Sequence, residues 1–399
     1  MARPEVPGTA DVVVVGGGCM GASIAFHLAR RDVDVVLLEK AHVGAGATGH
    51  SGALVRQHYE SHVCIRLARG SLAFFQRFEK ETGFSCDFRT TGFLSGTRKR
   101  DLPAFEALLE LLRSEGVRTE RLTPSEAKDI EPQLEVSDYA ALVHDPDAGY
   151  ADPIATANGF ATGAVVEGAK VSNDQTVTSV ATRSGRVIGV RIRGEGMLSC
   201  ERVVLSAGNW TPELAAPLAP RLPIRYVRGE VAILRRPVKF GAPPKIHFDF
   251  YGNTYSRPEG EKDTLCGYMD TDPRKTMQNY EFVDSLPAST VRELRTRLAK
   301  RFPRMSEAQP RGGWAGAYDV SPDSYPILDR IGPEGLFVAI GFSGHGFKLS
   351  PEVGRLMSEY VATGRRPESL EPLRAVRFEE RDPIRPDAPF PGRRNRRLP

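Results

Sequence analysis

Two kinds of hydrophobic pattern alternate along the chain, and each predicts a different element. Short apolar runs between turn residues predict strands over residues 11–15, 34–39, 185–193, 201–206, 224–234, 245–250 and 335–340. Longer stretches with apolar residues three or four positions apart predict helices over residues 60–82, 101–115, 154–168, 287–301 and 350–363. The mixture predicts a fold built from both strands and helices.

The first strand, the residues after it and the second strand form one unit with a glycine-rich turn. Residues 12–21 read VVVVGGGCMG, and the second strand ends at Glu39. This βαβ pattern is typical of dinucleotide binding: Gly16 forms a tight turn, Gly18 lets the backbone approach a pyrophosphate, and Gly21 lets the helix pack closely. The helix N-terminus favours phosphate charge, and Glu39 is placed for a ribose hydroxyl. The unit alone fits NAD and FAD equally.

The composition is that of a globular protein. The chain has 399 residues, of which 40% are hydrophobic and 26% charged, so it is long enough for two domains. The apolar runs are strand-sized and the N-terminus lacks the apolar stretch of a secretory signal, which predicts a cytoplasmic protein without membrane association. The five cysteines are scattered and odd in number, which predicts reduced thiols.

The net charge of +4 is concentrated at the C-terminus. From Arg374 onward the chain has eight arginines against four acidic residues, so the rest of the chain is neutral. A neutral body argues against nucleic-acid binding. The tail, residues 374–399, is rich in proline and arginine and has little to bury, which predicts a solvated, partly disordered end.

Two histidines have the spacing of a metal-binding pair. His58 and His62 are four positions apart, but no third ligand accompanies them. We therefore expect a surface or interface role for this pair and no metal site.

Two further glycine-rich stretches favour FAD over NAD. GAGATGHSGALVRQHY follows the second strand, and GFSGHGFKLSP joins a late strand to a helix. An NAD-binding domain needs neither stretch. A reduced flavin carries a negative charge, which a helix N-terminus or a lysine stabilises. The turn from Gly344 to Lys348 can supply both.

Five segments in this order resemble the D-amino-acid-oxidase superfamily of FAD enzymes, and within it the glycine oxidase and sarcosine oxidase group. They are the dinucleotide motif with Glu39, GAGATGHSGALVRQHY, VVLSAGNWT, GGWAGAYDVSPDSYPILD and GFSGHGFKLSP. The resemblance covers about residues 10–364 and implies an α/β and α+β fold. In it, a Rossmann-type FAD-binding domain is interleaved with a substrate domain built on a large mixed β-sheet.

The interrupted layout predicts a discontinuous domain organisation. The FAD-binding domain is expected to comprise residues 1–85, 149–222 and 314–373. The substrate-binding domain is expected to comprise residues 86–148 and 223–313, and the tail follows.

The resemblance also implies which residues contact FAD. They lie in the matching segments and are Gly16, Gly18, Met20, Gly21, Glu39, Lys40, Gly46, Ala47, Thr48, His50, Ser51, Ala207, Gly208, Trp210, Gly316, Gly344, His345, Gly346, Phe347 and Lys348. Gly316 replaces the family's covalent flavin cysteine. Relatives similar to dimethylglycine dehydrogenase attach flavin through a histidine at the position of His50, after a tryptophan, but here Gly49 precedes it. We therefore predict non-covalent FAD.

Four catalytic residues follow from the resemblance. Arg56 and Lys348 occupy the positions that bind the substrate carboxylate in enzymes similar to sarcosine oxidase, and a carboxylate in a dry pocket needs such cations. Tyr255 occupies the position of an active-site tyrosine. Tyr318 stands where glycine oxidases carry an arginine, which favours the sarcosine-type pairing.

Two departures from the family concern the substrate pocket. Leu265 replaces a lysine that promotes the reaction of reduced flavin with oxygen, and Met269 replaces a histidine. The resemblance places both residues in the pocket. A more apolar pocket has room for a substrate with a larger hydrocarbon part, and the missing lysine argues against fast use of oxygen.

The implied function is FAD-dependent oxidation of an amino acid, an N-substituted glycine or another secondary amine acid. Hydride transfer to flavin N5 gives an imine that hydrolyses to an amine and glyoxylate, and oxygen accepts the electrons to give hydrogen peroxide. One alternative is an amino-acid dehydrogenase that uses a quinone or a carrier protein. Another is a non-catalytic flavoprotein that binds a protein or RNA. The expected partners are a small substrate and an electron acceptor, without nucleic acid or membrane, in a monomer or homo-oligomer.

Overall fold

The computed structural model of the protein describes residues 6–269 and 282–390. The strands of these residues are β1 Val12–Val15, β2 Val35–Leu38, β3 Leu54–Val55, β4 Arg89–Thr90, β5 Phe93–Thr97, β6 Glu120–Leu122, β7 Ala141–Asp145, β8 Gly149–Tyr150, β9 Lys170–Ser172, β10 Val177–Arg183, β11 Arg186–Ile192, β12 Gly196–Ser199, β13 Arg202–Leu205, β14 Arg225–Arg235, β15 Ile246–Asp249, β16 Thr254–Glu259, β17 Asp263–Tyr268, β18 Gln309–Val320, β19 Ile327–Arg330 and β20 Leu336–Ile340. The α-helices are α1 Cys19–Ala29, α2 His62–Phe75, α3 Phe78–Thr82, α4 Leu102–Ser114, α5 Pro124–Ile130, α6 Pro153–Val166, α7 Thr211–Ala215, α8 Ala288–Ala299 and α9 Gly346–Thr363.

A six-stranded sheet carries the dinucleotide motif. Its strand order is β19-β20-β13-β1-β2-β9, and every pair except the antiparallel β19 and β20 is parallel. Val12 and Val14 pack into the cluster that contains α1, α2, α6 and α9, whereas Val13 and Val15 pack into a second cluster against the antiparallel sheet β10-β11-β12. A parallel sheet covered on both faces explains why four consecutive positions are all valine.

An eight-stranded mixed sheet forms the second large layer. Its order is β18-β14-β17-β16-β15-β5-β7-β6, and only β5 and β15 pair in parallel within it. Alternate residues of its strands point to opposite faces of the sheet. Ala232 and Cys266 pack toward α8 on one face, and Val231 and Leu265 pack toward Leu54 of the glycine-rich loop on the other. One face of this sheet is therefore turned toward the glycine-rich loop that follows β2. The two sheets confirm the predicted fold class.

The strands of the two large sheets come from different parts of the chain. The six-stranded sheet takes its strands from residues 12–38, 170–205 and 327–340, and the eight-stranded sheet takes its strands from residues 93–145 and 225–320. The predicted domain boundary at residue 314 falls inside β18, which belongs to the eight-stranded sheet along its whole length. The remaining boundaries stay predictions.

Two of the predicted helices differ from the observed ones. The predicted helix over residues 60–82 is two helices, because the chain leaves helical geometry at Arg77, between α2 and α3. The predicted helix over residues 350–363 begins earlier, at Gly346. Gly344 lies in the turn before α9, whereas Gly346 is the first residue of the helix.

The expectation of a solvated C-terminal tail is wrong for Arg377, Ala388 and Phe390, which are buried, whereas most of the other residues in 374–390 are exposed. Arg377 is only 1% exposed, and its guanidinium forms hydrogen bonds of 2.8 and 3.0 Å with both carboxylate oxygens of Asp323. Phe390 is also buried. A composition rich in arginine and proline did not reveal that one arginine has a buried carboxylate partner.

The expected surface role of the His58 and His62 pair is wrong for His58. Its side chain is buried between the rings of Phe93 and Phe390, at centre-to-centre distances of 5.0 and 5.3 Å. His62 is half-exposed and lies 2.7 Å from a carboxylate oxygen of Glu115. The two side chains therefore occupy different environments.

Candidate active site

The glycine turn after β1 lines a cavity of about 710 Å³. Gly16 has a φ of +109°, and a Cβ there would lie 2.5 Å from the carbonyl oxygen of Ser206. Gly18 and Met20 also line the cavity, and α1 begins with no acidic residue in its first turn. The positive end of the α1 dipole therefore meets the cavity, where it favours a phosphate group.

Two further residues of the motif, Gly21 and Glu39, support this turn, and only Glu39 lines the cavity. Gly21 does not line the cavity, and a Cβ on it would overlap the carbonyl oxygen of Gly16. Glu39 lines the cavity, and its carboxylate accepts hydrogen bonds from the backbone N–H groups of Gly17 at 2.7 Å and Ala41 at 2.8 Å. Glu39 thus fixes the turn, and its oxygens keep lone pairs for hydroxyl donors.

The glycine-rich loop after β2 supplies a second wall. The loop residues that line the cavity are Ala45, Gly46, Ala47, Thr48 and Ser51. The Thr48 hydroxyl accepts a hydrogen bond of 3.0 Å from the backbone N–H of Cys19. This bond ties the loop to the start of α1, so the two walls are held together.

His50 and Gly316 adjoin each other but do not line the cavity. A Cβ on Gly316 would lie 3.1 Å from the Cβ of His50. The two ring nitrogens of His50 lie 3.0 Å from the carbonyl oxygen of Gly46 and 3.2 Å from a carboxylate oxygen of Asp284. Both neighbours are acceptors, so a neutral imidazole donates to only one of them. His50 does not line the cavity, and this position supports the prediction of non-covalent FAD.

The loop after β13 forms a third wall. Ala207, Gly208 and Trp210 line the cavity, as does Lys40 from the end of β2. The Lys40 ammonium lies 3.1 Å from the centre of the Trp210 ring, a cation–π contact. Burial lowers the pKa of Lys40. The contact joins two cavity residues that are far apart in the sequence.

Sequence reasoning missed a fourth group of lining residues. They come from the start of the antiparallel sheet and from α7 and its surroundings, and they are Gln175, Thr176, Val177, Thr178, Arg193, Glu213 and Leu214. Cys19, Ser206, Asn209, Asp319 and Phe342 also line the cavity and adjoin predicted residues. No motif marks the fourth group, because only the folded topology brings it to the glycine turn.

The donor set of this cavity suits FAD. The N-terminus of α1 and the side chain of Arg193 suit phosphate charge, and Glu39 suits hydroxyl groups. Met20, Trp210 and Phe342 offer apolar surface to flat rings. The cavity volume also lies in the range of small-molecule and cofactor sites.

The turn before α9 separates cavity residues from residues behind them. Gly344, Gly346 and Phe347 line the cavity, and Gly344 has a φ of +84°. His345 does not line it; its Nδ1 lies 3.3 Å from the hydroxyl oxygen of Tyr59. The turn therefore connects the cavity to the segment that contains Tyr59 and Arg56.

Arg56 is a buried cation surrounded by aromatic rings. It is 5% exposed, and its guanidinium carbon lies 4.4 Å from the ring centre of Tyr59 and 4.8 Å from that of Phe248. One guanidinium nitrogen also donates to the backbone carbonyl of His58. The aromatic faces stabilise the positive charge away from water.

Lys348 is a second buried cation, close to Arg56. It is 7% exposed, and its ammonium donates to the carbonyl oxygen of Gly344 at 3.4 Å. Burial and the charge of Arg56 lower the pKa of Lys348 well below its usual value. In the described part of the chain Lys348 has no ion-pair partner within 4.0 Å. A carboxylate that entered here would relieve the repulsion between the two cations.

Tyr255 and Tyr318 form a pair of buried tyrosines whose hydroxyl groups interact. Burial raises the pKa of both. Tyr318 lines the cavity, whereas Tyr255 lies behind it, packed on Gly52 and Gly267. A Cβ on Gly267 would lie 2.7 Å from the Tyr255 ring, so the small residues on these strands make room for the tyrosines.

The two residues expected to make the substrate pocket apolar do not line the cavity. Leu265 is fully buried in the cluster that contains Phe248 and Tyr255, and Met269 packs against the same cluster. The position where the family carries an oxygen-activating lysine is therefore part of the hydrophobic core in this chain.

Comparison with known proteins identifies the family. The family model described as FAD dependent oxidoreductase matches residues 11–360. The chain belongs to this family. This result confirms the resemblance, the FAD cofactor and the assignment as an FAD-dependent oxidoreductase. The roles of individual residues toward FAD and substrate remain predictions.

Individual relatives of this oxidoreductase share about a quarter of its residues. It is 29% identical over 383 residues to 4-methylaminobutanoate oxidase (formaldehyde-forming) from Paenarthrobacter nicotinovorans, covering 90% of this chain and 44% of the relative. It is 26% identical to sarcosine oxidase subunit beta from Rhodobacter capsulatus, covering 93% of this chain and 89% of the relative. The structure of L-proline dehydrogenase from P. horikoshii has a TM-score of 0.88 at 28% identity, covering 95% of this chain and all of that one.

The oxidoreductase spans less than half the length of several of its curated relatives, including the first above at 44%. Among the helices of residues 6–269 and 282–390, none has both the length and the apolar character needed to cross a bilayer.

Proposed function

We propose that this FAD-dependent oxidoreductase oxidises a secondary amine that carries a carboxylate, at the C–H bond next to the nitrogen. The observation that carries the proposal is the pair of buried cations, Arg56 and Lys348, directly behind the Gly344–Phe347 wall of the cofactor cavity. In the described part of the chain Lys348 has no ion-pair partner within 4.0 Å, and a buried cation is unfavourable unless an anion neutralises it. We infer that a substrate carboxylate is the anion that binds beside Lys348 and Arg56.

The substrates for which the three relatives are named share this chemistry. Sarcosine, L-proline and 4-methylaminobutanoate are each secondary amines with a carboxylate. They differ in the distance from nitrogen to carboxylate and in being cyclic or open. The common features support the substrate class, which includes the N-substituted glycines predicted above.

The chain's own residues would bind and orient this substrate. Arg56 and Lys348 hold the carboxylate, and this fixes which C–H bond faces the cavity. Tyr318 lines the cavity with Tyr255 behind it, and a tyrosine hydroxyl there can accept a hydrogen bond from the amine nitrogen or donate one to a carboxylate oxygen. FAD, when bound, accepts the hydride.

A strong general base is not needed for this reaction. Once the amine nitrogen has lost its extra proton, its lone pair forms the C=N bond as the hydride leaves. Water then adds to the imine, and an N-substituted glycine oxidised at its glycine carbon gives an amine and glyoxylate. The buried aromatic rings of Tyr59 and Phe248 keep water from Arg56 until the substrate binds.

A screen of flavin bleaching without oxygen tests the substrate class. The flavin-loaded protein is mixed anaerobically with N-methylglycine, L-proline, 4-methylaminobutanoate, longer N-alkyl glycines and the common D- and L-amino acids. We expect secondary amine acids to bleach the flavin fastest. Faster reduction by primary D-amino acids than by every secondary amine would overturn the proposal.

The electron acceptor has two candidates. If the protein is an oxidase, oxygen accepts the electrons and is reduced to hydrogen peroxide. The buried Leu265 favours the dehydrogenase reading, because no cation stands at that position to attract oxygen as the reduced flavin gives up its electrons. Reoxidation of the reduced protein by oxygen and by a quinone, followed side by side, distinguishes the two.

A non-catalytic role through the arginine-rich tail has less support. Of its arginines, Arg377 is buried against Asp323, and Arg374 pairs with Glu371 and Glu380. Part of the tail's positive charge is therefore neutralised within the chain.

A further inference from the structure

The C-terminal segment (residues 382–390) returns to the neighbourhood of Arg56. It is anchored at its start, where the backbone N–H of Ile384 donates to Asp323 at 3.1 Å, the same carboxylate that binds the buried Arg377. The backbone N–H of Asp382 also donates to the carbonyl oxygen of Arg377 at 2.8 Å. The segment is therefore held in place before it reaches the substrate side.

Backbone hydrogen bonds fasten the segment to the residues that follow Arg56. The N–H groups of Asp387 and Ala388 donate to the carbonyl oxygen of Glu60 at 2.8 and 3.2 Å. In return, the N–H of His62 donates to the carboxylate of Asp387 at 3.0 Å. These bonds fix residues 60–62, which directly continue the chain from Tyr59, the ring beneath the Arg56 guanidinium.

The segment ends in an aromatic ring inserted behind Arg56. Phe390 is buried and stacks on His58 at 5.3 Å with an interplanar angle of 24°, and on Phe250 at 4.8 Å with an angle of 27°. Phe250 contacts Phe248 at 6.2 Å, and Phe248 lies against the Arg56 guanidinium. Burial and Arg56 lower the pKa of His58 to about 3, so His58 stacks as a neutral ring.

Two independent contacts thus lead from Phe390 to the same guanidinium. One passes through His58, whose backbone carbonyl accepts a hydrogen bond from Arg56, and the other through Phe250 and Phe248. Rings packed on both sides leave few alternative positions for the groups between them. Removal of the Phe390 ring would free both supports at once.

We propose that Phe390 is a positioning residue for Arg56, and that the C-terminal segment holds the carboxylate site in its binding geometry. This inference rests on the proposed role of Arg56 in carboxylate binding. Phe390 does not touch the substrate. It acts on Arg56 through His58 and Phe250.

Acetate binding to the flavin-loaded protein tests this role without turnover. Acetate carries the carboxylate alone, and its binding is followed by the change in the flavin absorbance spectrum. We expect Phe390→Ala to raise the acetate Kd by roughly 2- to 30-fold, the range for residues that act through a neighbour. Phe390→Tyr should keep the wild-type Kd, because it retains a stacking ring.

The matched control is Phe240→Ala, the same change at a buried phenylalanine of another core cluster. It should leave the acetate Kd unchanged. If Phe390→Ala does not fold, Phe390→Leu, which keeps most of the side-chain volume, replaces it and should raise the Kd by a smaller factor. An unchanged Kd in a folded Phe390→Ala or Phe390→Leu variant would refute the positioning role, as would an equal effect of Phe240→Ala.

The proposed function and this inference fail in different ways. If no secondary amine acid reduces the flavin of the wild-type protein, the proposed function is wrong. If such an acid reduces it but the Phe390 variants bind acetate like the wild type, only the role of Phe390 is wrong.

Discussion

Burial and the positive charge of Arg56 lower the pKa of Lys348, and both side chains lie behind the wall of the cofactor cavity. In the free protein this arrangement opposes the charging of Lys348. Between its lowered pKa and the ordinary lysine value, the folded protein binds fewer protons than the unfolded chain. This group's contribution to stability therefore rises with pH in that window. A bound carboxylate raises the pKa of Lys348 again, because it stabilises the charged ammonium.

The first prediction is a loss of carboxylate affinity as pH rises. Acetate should bind well while Lys348 is charged, and its Kd should increase above the lowered pKa, at a pH below the usual lysine value. Lys348→Met should bind acetate weakly, without that rise. Lys348→Arg, which stays charged, should bind tightly across the range. A pH dependence that survives in Lys348→Met would assign the titration to another group.

Arg56→Ala should weaken binding of a carboxylated substrate by about 2–4 kcal/mol, the cost of truncating one side of a buried charge pair. L-proline and pyrrolidine form a matched pair, since they differ only in the carboxylate, and anaerobic flavin reduction measures both. We expect Arg56→Ala to weaken the binding of L-proline and to leave the binding of pyrrolidine unchanged. An equal loss with both compounds would indicate a folding defect instead.

FAD should leave the protein on acid precipitation. His50 does not line the cofactor cavity, and Gly316 has no side chain to form a bond with flavin. The yellow colour is therefore expected in the supernatant after denaturation with acid. Colour retained by the precipitated chain would show a covalent bond, and His50→Ala would then test whether His50 forms it.

The tyrosine pair should matter more for the rate than for folding. Tyr255→Phe removes one hydroxyl and leaves Tyr318 without that partner, which costs about 1 kcal/mol of stability, typical of one hydrogen bond. The limiting rate of flavin reduction is expected to fall by a larger factor than the substrate Kd rises. If urea unfolding and the reduction rate both match the wild type, the pair has no role in the reaction.

Arg377 and Asp323 should stabilise the C-terminus strongly as a pair. Asp323→Ala leaves a buried guanidinium without its carboxylate, and the free energy of unfolding should fall by about 3–5 kcal/mol. Arg377→Met combined with Asp323→Leu should cost less than the sum of the two single changes. Additive costs in urea unfolding would show that the two side chains are not coupled.

Local features of the sequence predicted the parts of the site that depend on local geometry. The glycine turn at Gly16 and the loop containing Thr48 were predictable, because their small residues are required by close backbone contacts. Arg193 and Val177 line the same cavity, but nothing in their own neighbourhood marks them. Their position follows from the packing of the β10-β11-β12 sheet on the parallel sheet, which is a long-range property.

The C-terminus shows the opposite limit of sequence reasoning. Average composition described residues 374–399 as solvated, and averages cannot register a single specific partner such as Asp323 for Arg377. The prediction that Leu265 faces the substrate pocket stays a prediction. Leu265 does not line the cofactor cavity, but it belongs to the buried cluster that contains Tyr255 and Phe248, and the Phe248 ring contacts Arg56.

The parallel pairing of β5 with β15 has a consequence for synthesis of the chain. Phe93 in β5 pairs with Ile246, so one edge of β5 stays unpaired until 153 further residues have been synthesised. At about 5–20 residues per second, that edge stays open for roughly 8–30 s on the ribosome. An open strand edge invites pairing with other chains. Nascent chains that stop before residue 246 should therefore aggregate unless a chaperone covers the edge, whereas chains that have passed β15 should not.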